Sequence, residues 1–115
     1  MIQQYLLSRM DVFCYLIGDE ATKTCALIDP AFDTRKILSE ARAAGFTVTH
    51  VINTHAHSDH SAGNAAILEA TDARLYIHHL EAKSLTGMAG NAFSRMMGGK
   101  GSPAADILLK DGDLI

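Results

Sequence analysis

The chain has 115 residues, 48% of them hydrophobic and 20% charged, with a formal net charge of −3. That is enough for one modest hydrophobic core, and the slight acidity argues against a nucleic-acid or anionic-membrane partner. No apolar run approaches the roughly 20 residues needed to span a bilayer, and the start, Met1-Ile2-Gln3-Gln4-Tyr5, lacks a signal-peptide pattern. A cytoplasmic protein is the expectation. Cys14 and Cys25 are the only cysteines. Each sits in an apolar run and reads as a reduced, buried thiol.

In chain order, Val12 to Ile17 is a run of β-formers closed by Gly18-Asp19, and Cys25 to Ile28 is a second, stopped by Asp29-Pro30. The polar connection Gly18 to Lys23 has hairpin length, so the two read as antiparallel neighbours. Asp33 is the candidate N-cap of a helix over Thr34 to Ala44, whose Ile37, Leu38, Ala41 and Ala44 recur at helical spacing before Gly45. Thr47 to Asn53 reads as a strand and Ala62 to Ala70 as a helix. Leu75 to Ile77 follows as a short strand, then His79 to Leu85 as a short helix. Thr86 to Pro103 is glycine-rich, with Met88, Met96 and Met97, and reads as a long, mobile loop with at most one helical turn around Phe93. Ile107 to Leu109 is a further strand, and Asp111-Gly112 signals a hairpin turn. The order argues an α/β architecture with helices laid against a sheet.

The chemistry is concentrated in Thr54-His55-Ala56-His57-Ser58-Asp59-His60, which places three imidazoles and a carboxylate within six residues. The segment directly follows a strand, the usual position of a site in an α/β sheet. On extended backbone, residues i and i+2 point the same way, so His55 and His57 can aim ring nitrogens at one metal ion. Asp59 and His60 lie where the chain turns into the next helix and can face a second point nearby. Two ions about 3.5–4 Å apart share a water and lower its pKa. Asp59 is also the candidate catalytic carboxylate, able to orient that water. A free surface cluster of histidines is the bland alternative. His50, at a strand start, reads as structural. His78 and His79 read as structural or supporting, since neighbours on a strand point to opposite faces. Glu81 reads as a charge on a helix face. Gly63 permits close packing by a neighbouring backbone.

At these residues the chain resembles the metallo-β-lactamase superfamily. The likeness rests on Thr-His-Ala-His-Ser-Asp-His-Ser-Ala-Gly over 54–63, Leu-Ile-Asp-Pro over 27–30 and Lys-Asp-Gly-Asp-Leu-Ile over 110–115. Within it, the glyoxalase II (hydroxyacylglutathione hydrolase) branch is most similar. The resemblance implies an αββα sandwich of which residues 1–115 supply about the first half, as one partial domain with a mixed sheet and flanking helices. It implies that His55 and His57 bind a first metal ion, Asp59 and His60 a second, and that Asp29 supports the motif loop from beneath. Zinc is the expected metal, as one or two ions, with iron or manganese as substitutes. It implies hydrolysis of a small-molecule thioester by metal-bound hydroxide, impaired in this chain alone because the family's later ligands lie beyond Ile115. The bare sheet face is expected to be covered by homodimerisation or by a C-terminal half. The alternatives are a persulfide dioxygenase-like member of the superfamily with one iron, and a non-catalytic metal-binding or assembly module.

Overall fold

The computed structural model describes residues 1–115. Its centre is one six-stranded sheet in the order β1-β2-β3-β4-β5-β6, so every strand lies beside its neighbours in sequence. β1 (Ile2–Leu6), β2 (Phe13–Asp19) and β3 (Thr24–Ile28) form an antiparallel meander. β4 (Thr47–Ile52), β5 (Arg74–His78) and β6 (Ile107–Leu109) continue from β3 in parallel. Parallel pairs need crossovers, and each crossover here carries helix. These are α1 (Thr34–Ala43) between β3 and β4, and α2 (Ser58–Ser61) with α3 (Asn64–Ala70) between β4 and β5. A 3-10 turn (His79–Glu81), α4 (Ala82–Leu85) and α5 (Met88–Met96) lie between β5 and β6.

Strand side chains alternate between faces, and the two faces have different fates. Cys14 and Leu16 of β2, Cys25 and Leu27 of β3, and Leu75 and Ile77 of β5 form the floor of the core. Ile37 and Ala41 of α1, Ile67 of α3 and Leu85 of α4 close it from above. On the opposite face Phe13, Tyr15 and Ile17 of β2 are exposed. In the same layer His50 of β4 stacks on Tyr76 of β5 at 4.9 Å. The expected α/β fold with helices on a mixed sheet is the one found.

One irregularity sets the phase of β4. Cys25 pairs with Val48 but Ala26 pairs with His50, so Thr49 is an extra residue in the ladder. Its hydroxyl donates to the Cys25 carbonyl at 3.3 Å. Val48 and Val51 are three residues apart and would point to opposite faces of a regular strand; with the bulge both are buried in the core.

The structure corrects four sequence expectations. Ile2–Leu6 is a strand that the sequence did not announce. The helix expected over Ala62 to Ala70 is two, Ser58–Ser61 and Asn64–Ala70, parted at Gly63. There an added Cβ would overlap the Pro30 carbonyl oxygen, so glycine alone allows this approach. Third, Thr86 to Pro103 is no continuous loop, because Met88–Met96 is a nine-residue helix. Last, Asp33 occupies the N-cap position of α1 but makes no side-chain cap bond, and its backbone is left-handed, with φ 56°. Its carboxylate turns outward and accepts from the Ser8 amide at 2.8 Å and the Ser8 hydroxyl at 2.6 Å, fastening the β1–β2 loop.

Both thiols are free and buried. In register Cys25 faces Gly18 rather than Cys14. Burial, with Asp29 and Cys25 adding to it, pushes the Cys14 thiol up to about 12, and burial pushes Cys25 up to about 11.

Candidate metal centre

β4 ends at Ile52, and the chain leaves the sheet through Asn53 and Thr54 into the histidine segment. The residues that hold this exit come from elsewhere in the chain. Asp29, at the end of β3 and only 4% exposed, lies directly beneath. Its carboxylate accepts from the Thr54 amide at 2.8 Å, the Thr54 hydroxyl at 2.7 Å and His60 Nδ1 at 2.9 Å. The Asp29 backbone is left-handed, with φ 52°, although a proline follows. Both features are unfavourable for a residue with a Cβ. Such strain persists only where the surroundings over-determine it, and here the hydrogen bonds to the carboxylate do so.

A second layer is amide chemistry. Asn64, fully buried at the start of α3, donates to Asn53 Oδ1 at 2.6 Å and to Ser102 Oγ at 2.9 Å. Asn53 Nδ2 lies 3.3 Å from the His60 carbonyl. From the other side, Glu81 Oε1 accepts from the amide of Ala56, the residue between His55 and His57, at 3.2 Å. The expected surface charge is therefore a tie to the motif backbone.

Within this frame the donor atoms of His55, His57 and Asp59 all lie within 4.8 Å of one another. The His55 and His57 rings meet edge to face at 4.6 Å. The His60 ring centroid is 4.1 Å from that of His55, and His60 Nε2 is 3.7 Å from Asp59 Oδ2. His60 is outside that group of three donors and adjoins it through these two contacts. The ring hydrogen bonds decide which nitrogens face this corner of the frame. His60 Nδ1 is engaged by the Asp29 carboxylate, which leaves Nε2 as the ring nitrogen on the side of Asp59. His55 Nδ1 is engaged by the Thr54 hydroxyl at 2.9 Å, leaving its Nε2 free. Outer partners of this kind fix ring orientation at metal sites. Two neutral imidazoles and a carboxylate suit zinc, iron or manganese, so the residues fit the implied ion.

The other histidines lie outside the corner. His50 stacks on Tyr76 and shares a hydrogen bond with Thr49 Oγ1 at 2.8 Å. His78 and His79 do not diverge as strand neighbours would, because β5 ends at His78. Their rings stack at 4.6 Å, and His78 Nδ1 accepts from the Leu80 amide, capping the 3-10 turn. Asn53, Asn64 and Ser102 escaped the sequence reading as supports of the motif, and Glu81 was read only as a helix-face charge. The one legible hint was a pair of asparagines, each closing or opening an apolar segment.

An open cleft of about 420 Å³ lies beside the corner, its lining including His57 and Asp59 together with the apolar Met10 and Phe93.

A family model described as the metallo-beta-lactamase superfamily matches residues 7–114. A hydroxyacylglutathione hydrolase from Polaromonas sp. is 43% identical over 76 residues, covering 66% of this chain and 28% of that protein. Among solved structures, BLEG-1 B3 metallo-β-lactamase superposes with a TM-score of 0.79 at 26% identity, over 96% of this chain and 54% of that one. ETHE1 from Myxococcus xanthus superposes with a TM-score of 0.73 at 28% identity, over 100% of this chain and 43% of that one. The chain spans less than a third of that curated hydrolase's length and about half of each of those solved chains.

Proposed function

The chain belongs to the metallo-β-lactamase superfamily, and from that premise we propose that it serves metal-dependent hydrolysis of a small-molecule thioester, of the hydroxyacylglutathione kind. The observation that carries the reading is the convergence of the His55, His57 and Asp59 donors within 4.8 Å over a buried carboxylate at Asp29. The likeness to hydroxyacylglutathione hydrolases supports the thioester. His55 and His57 would hold one divalent ion through imidazole nitrogen, and Asp59 and His60 would serve a second. A bound zinc, iron or manganese ion supplies Lewis acidity and lowers the pKa of water from 15.7 to about 7.

The chain's own residues do the positioning. Asp29 holds the His60 ring through Nδ1, and Thr54 holds that of His55. Glu81 fixes the peptide between the two leading histidines. Asp59 accepts a hydrogen bond from the attacking water and orients its lone pair toward the acyl carbon. In the overall reaction a C–O bond forms to water oxygen and the C–S bond breaks. The thiol leaves with one proton, and the carboxylic acid releases the other to solvent. Catalytic zinc ordinarily takes three protein ligands; further ligands, and a second apolar layer over the bare sheet face, come in this reading from another polypeptide segment or a second copy. No helix is long and apolar enough to cross a membrane, and two buried free thiols fit a reducing, cytoplasmic setting.

The test is thiol release from S-lactoylglutathione by the chain given zinc, iron or manganese in turn. Release by the chain, alone or mixed with the C-terminal half of a hydroxyacylglutathione hydrolase, that depends on the ion and disappears in His57→Ala and Asp59→Ala supports the reading; no release in either setting with any ion refutes it. Two histidines and one carboxylate also match the facial arrangement of non-haem iron oxygenases, which keeps a persulfide dioxygenase as the second reading. One iron per chain with oxygen uptake that depends on an added persulfide, and no thioester turnover, would select it.

A further inference from the structure

The cleft beside the candidate metal centre has two walls that no step of the proposed hydrolysis uses. One is Met10, in the β1–β2 loop; the other is Phe93, on α5. Both are large and apolar, yet 49% and 41% exposed.

Each wall is fixed in place. Met10 and Asp11 are consecutive left-handed residues, φ 60° and 50°, a conformation that costs free energy without glycine. The loop is held in it by the Leu7 amide on the Val12 carbonyl at 2.8 Å and by the double clamp of Asp33 on Ser8. On the other side, the Ser58 hydroxyl donates to the Gly90 carbonyl at 2.8 Å, joining α5 to the metal-site segment itself. A Cβ at Gly90 would stand 3.3 Å from that hydroxyl, so a small residue lets the helix come this close. Phe93 is one turn further along and shares the face of Gly90. The segment that carries His57 and Asp59 therefore also sets the distance to the phenyl ring.

No lysine or arginine lines the cleft, so away from the metal corner nothing there would pair with a charged acyl tail. An aliphatic or aromatic acyl group gains by covering Met10 and Phe93, about four-fold in affinity for each buried methylene. Methionine adapts to the shape of whatever it covers.

We propose that the space between Met10 and Phe93 is an acyl subsite, which takes an uncharged, apolar acyl group while the thioester carbonyl lies against His57 and Asp59. It rests on the thioesterase reading and adds to it the class of acyl group.

The test uses the 115-residue chain, isotopically labelled, and thioether analogues of an acyl thioester bearing a methyl, a hexyl or a carboxyethyl arm. Dissociation constants are read from amide shifts at Gly90 and Phe93. The hexyl analogue is expected to bind at least ten-fold tighter than the other two, and Phe93→Ala to bring that ratio below three. If Phe93→Ala does not fold, Met10→Ala, in an exposed loop, is expected to halve the ratio or more. Equal binding of the three arms, or a ratio untouched by the variants, overturns the subsite. Turnover of acetyl and hexanoyl thioesters separates the two readings. Acetyl turnover without a hexyl preference strikes the subsite alone. Hexyl preference without turnover of any thioester strikes the hydrolysis and its acyl assignment, and leaves only an apolar binding cleft.

Discussion

The histidine segment and the segment 87–103 border the same cleft and are held by opposite means. The first is gripped by buried polar groups: the Asp29 carboxylate, the Asn53–Asn64–Ser102 amide chain and Glu81. The second is joined to the crossover after β4 at its far end, by Asn64 on Ser102 and by backbone bonds linking Ala62 and Ala65 to Lys100 and Gly101, but its helix α5 meets the histidine segment through the Ser58 bond to Gly90 and leaves Met88 and Met96 exposed. Buried hydrogen bonds to a charged group are the expensive ones to lose. The side that gathers donors is therefore over-determined, and the side that would meet a substrate's variable part is lightly tethered.

Substitutions on the two sides should differ in cost by several kcal/mol if that contrast is right. The largest effect is expected from Asp29→Asn, which keeps the shape but cannot accept from Thr54 and His60 together. We expect about 3 kcal/mol of stability lost by urea denaturation, and zinc affinity lowered 10- to 100-fold by chelator competition. Next is Gly63→Ala, whose Cβ meets the Pro30 carbonyl. About 1–3 kcal/mol should be lost, as for an overpacked core, and a variant of wild-type stability would show that the two backbones can part.

The thiols give a pH-dependent effect on the covered face of the sheet. Cys14 and Cys25 are raised above the unfolded value near 9, to about 12 and about 11. The folded state then holds protons that the unfolded state releases. Their contribution is complete below pH 9 and is lost as pH climbs from there toward 12, while Cys14→Ala/Cys25→Ala should flatten that decline. At pH 8 neither thiol should react with a disulfide reagent until the protein unfolds.

Smaller changes sharpen the contrast. Glu81→Ala removes a single hydrogen bond and should cost about 1 kcal/mol, with Glu81→Gln restoring most of it because one acceptor oxygen remains. In the lightly held segment, Ser94 has a buried hydroxyl without a partner. Ser94→Ala should be neutral or stabilising by up to about 1 kcal/mol, and a clear loss by thermal melting would mean that the hydroxyl has a role.

Local pattern made much of this legible. β3 and α1 end where Asp29-Pro30 and Gly45 stand, β2 runs past Gly18 to Asp19, and β4 follows its apolar run to Ile52. β1 was hidden because an edge strand with Gln3 and Gln4 exposed has no buried face to show in its pattern. α5 was hidden because Gly87, Gly90, Gly98 and Gly99 read as a loop, whereas Gly90 serves the approach to Ser58. The metal-ligating candidates stand together in sequence and could be seen together. Of their supports, Asp29 could be reached only through the family resemblance and Asn64 not at all, since they act on residues 31 and 38 positions away. Nothing local marks a side chain whose partner is chosen by topology.

The extra residue at Thr49 has a consequence for how this chain can change. It works as a half-turn adapter between two alternating rows. Removing Thr49 would leave Val48 and Val51 two residues apart, the period of a regular strand, so the ladder would close without a bulge and the histidine segment would keep its bearing on Asp29. β4 can therefore absorb the loss of one residue at the bulge, and only a further change in its length would turn the ring nitrogens away.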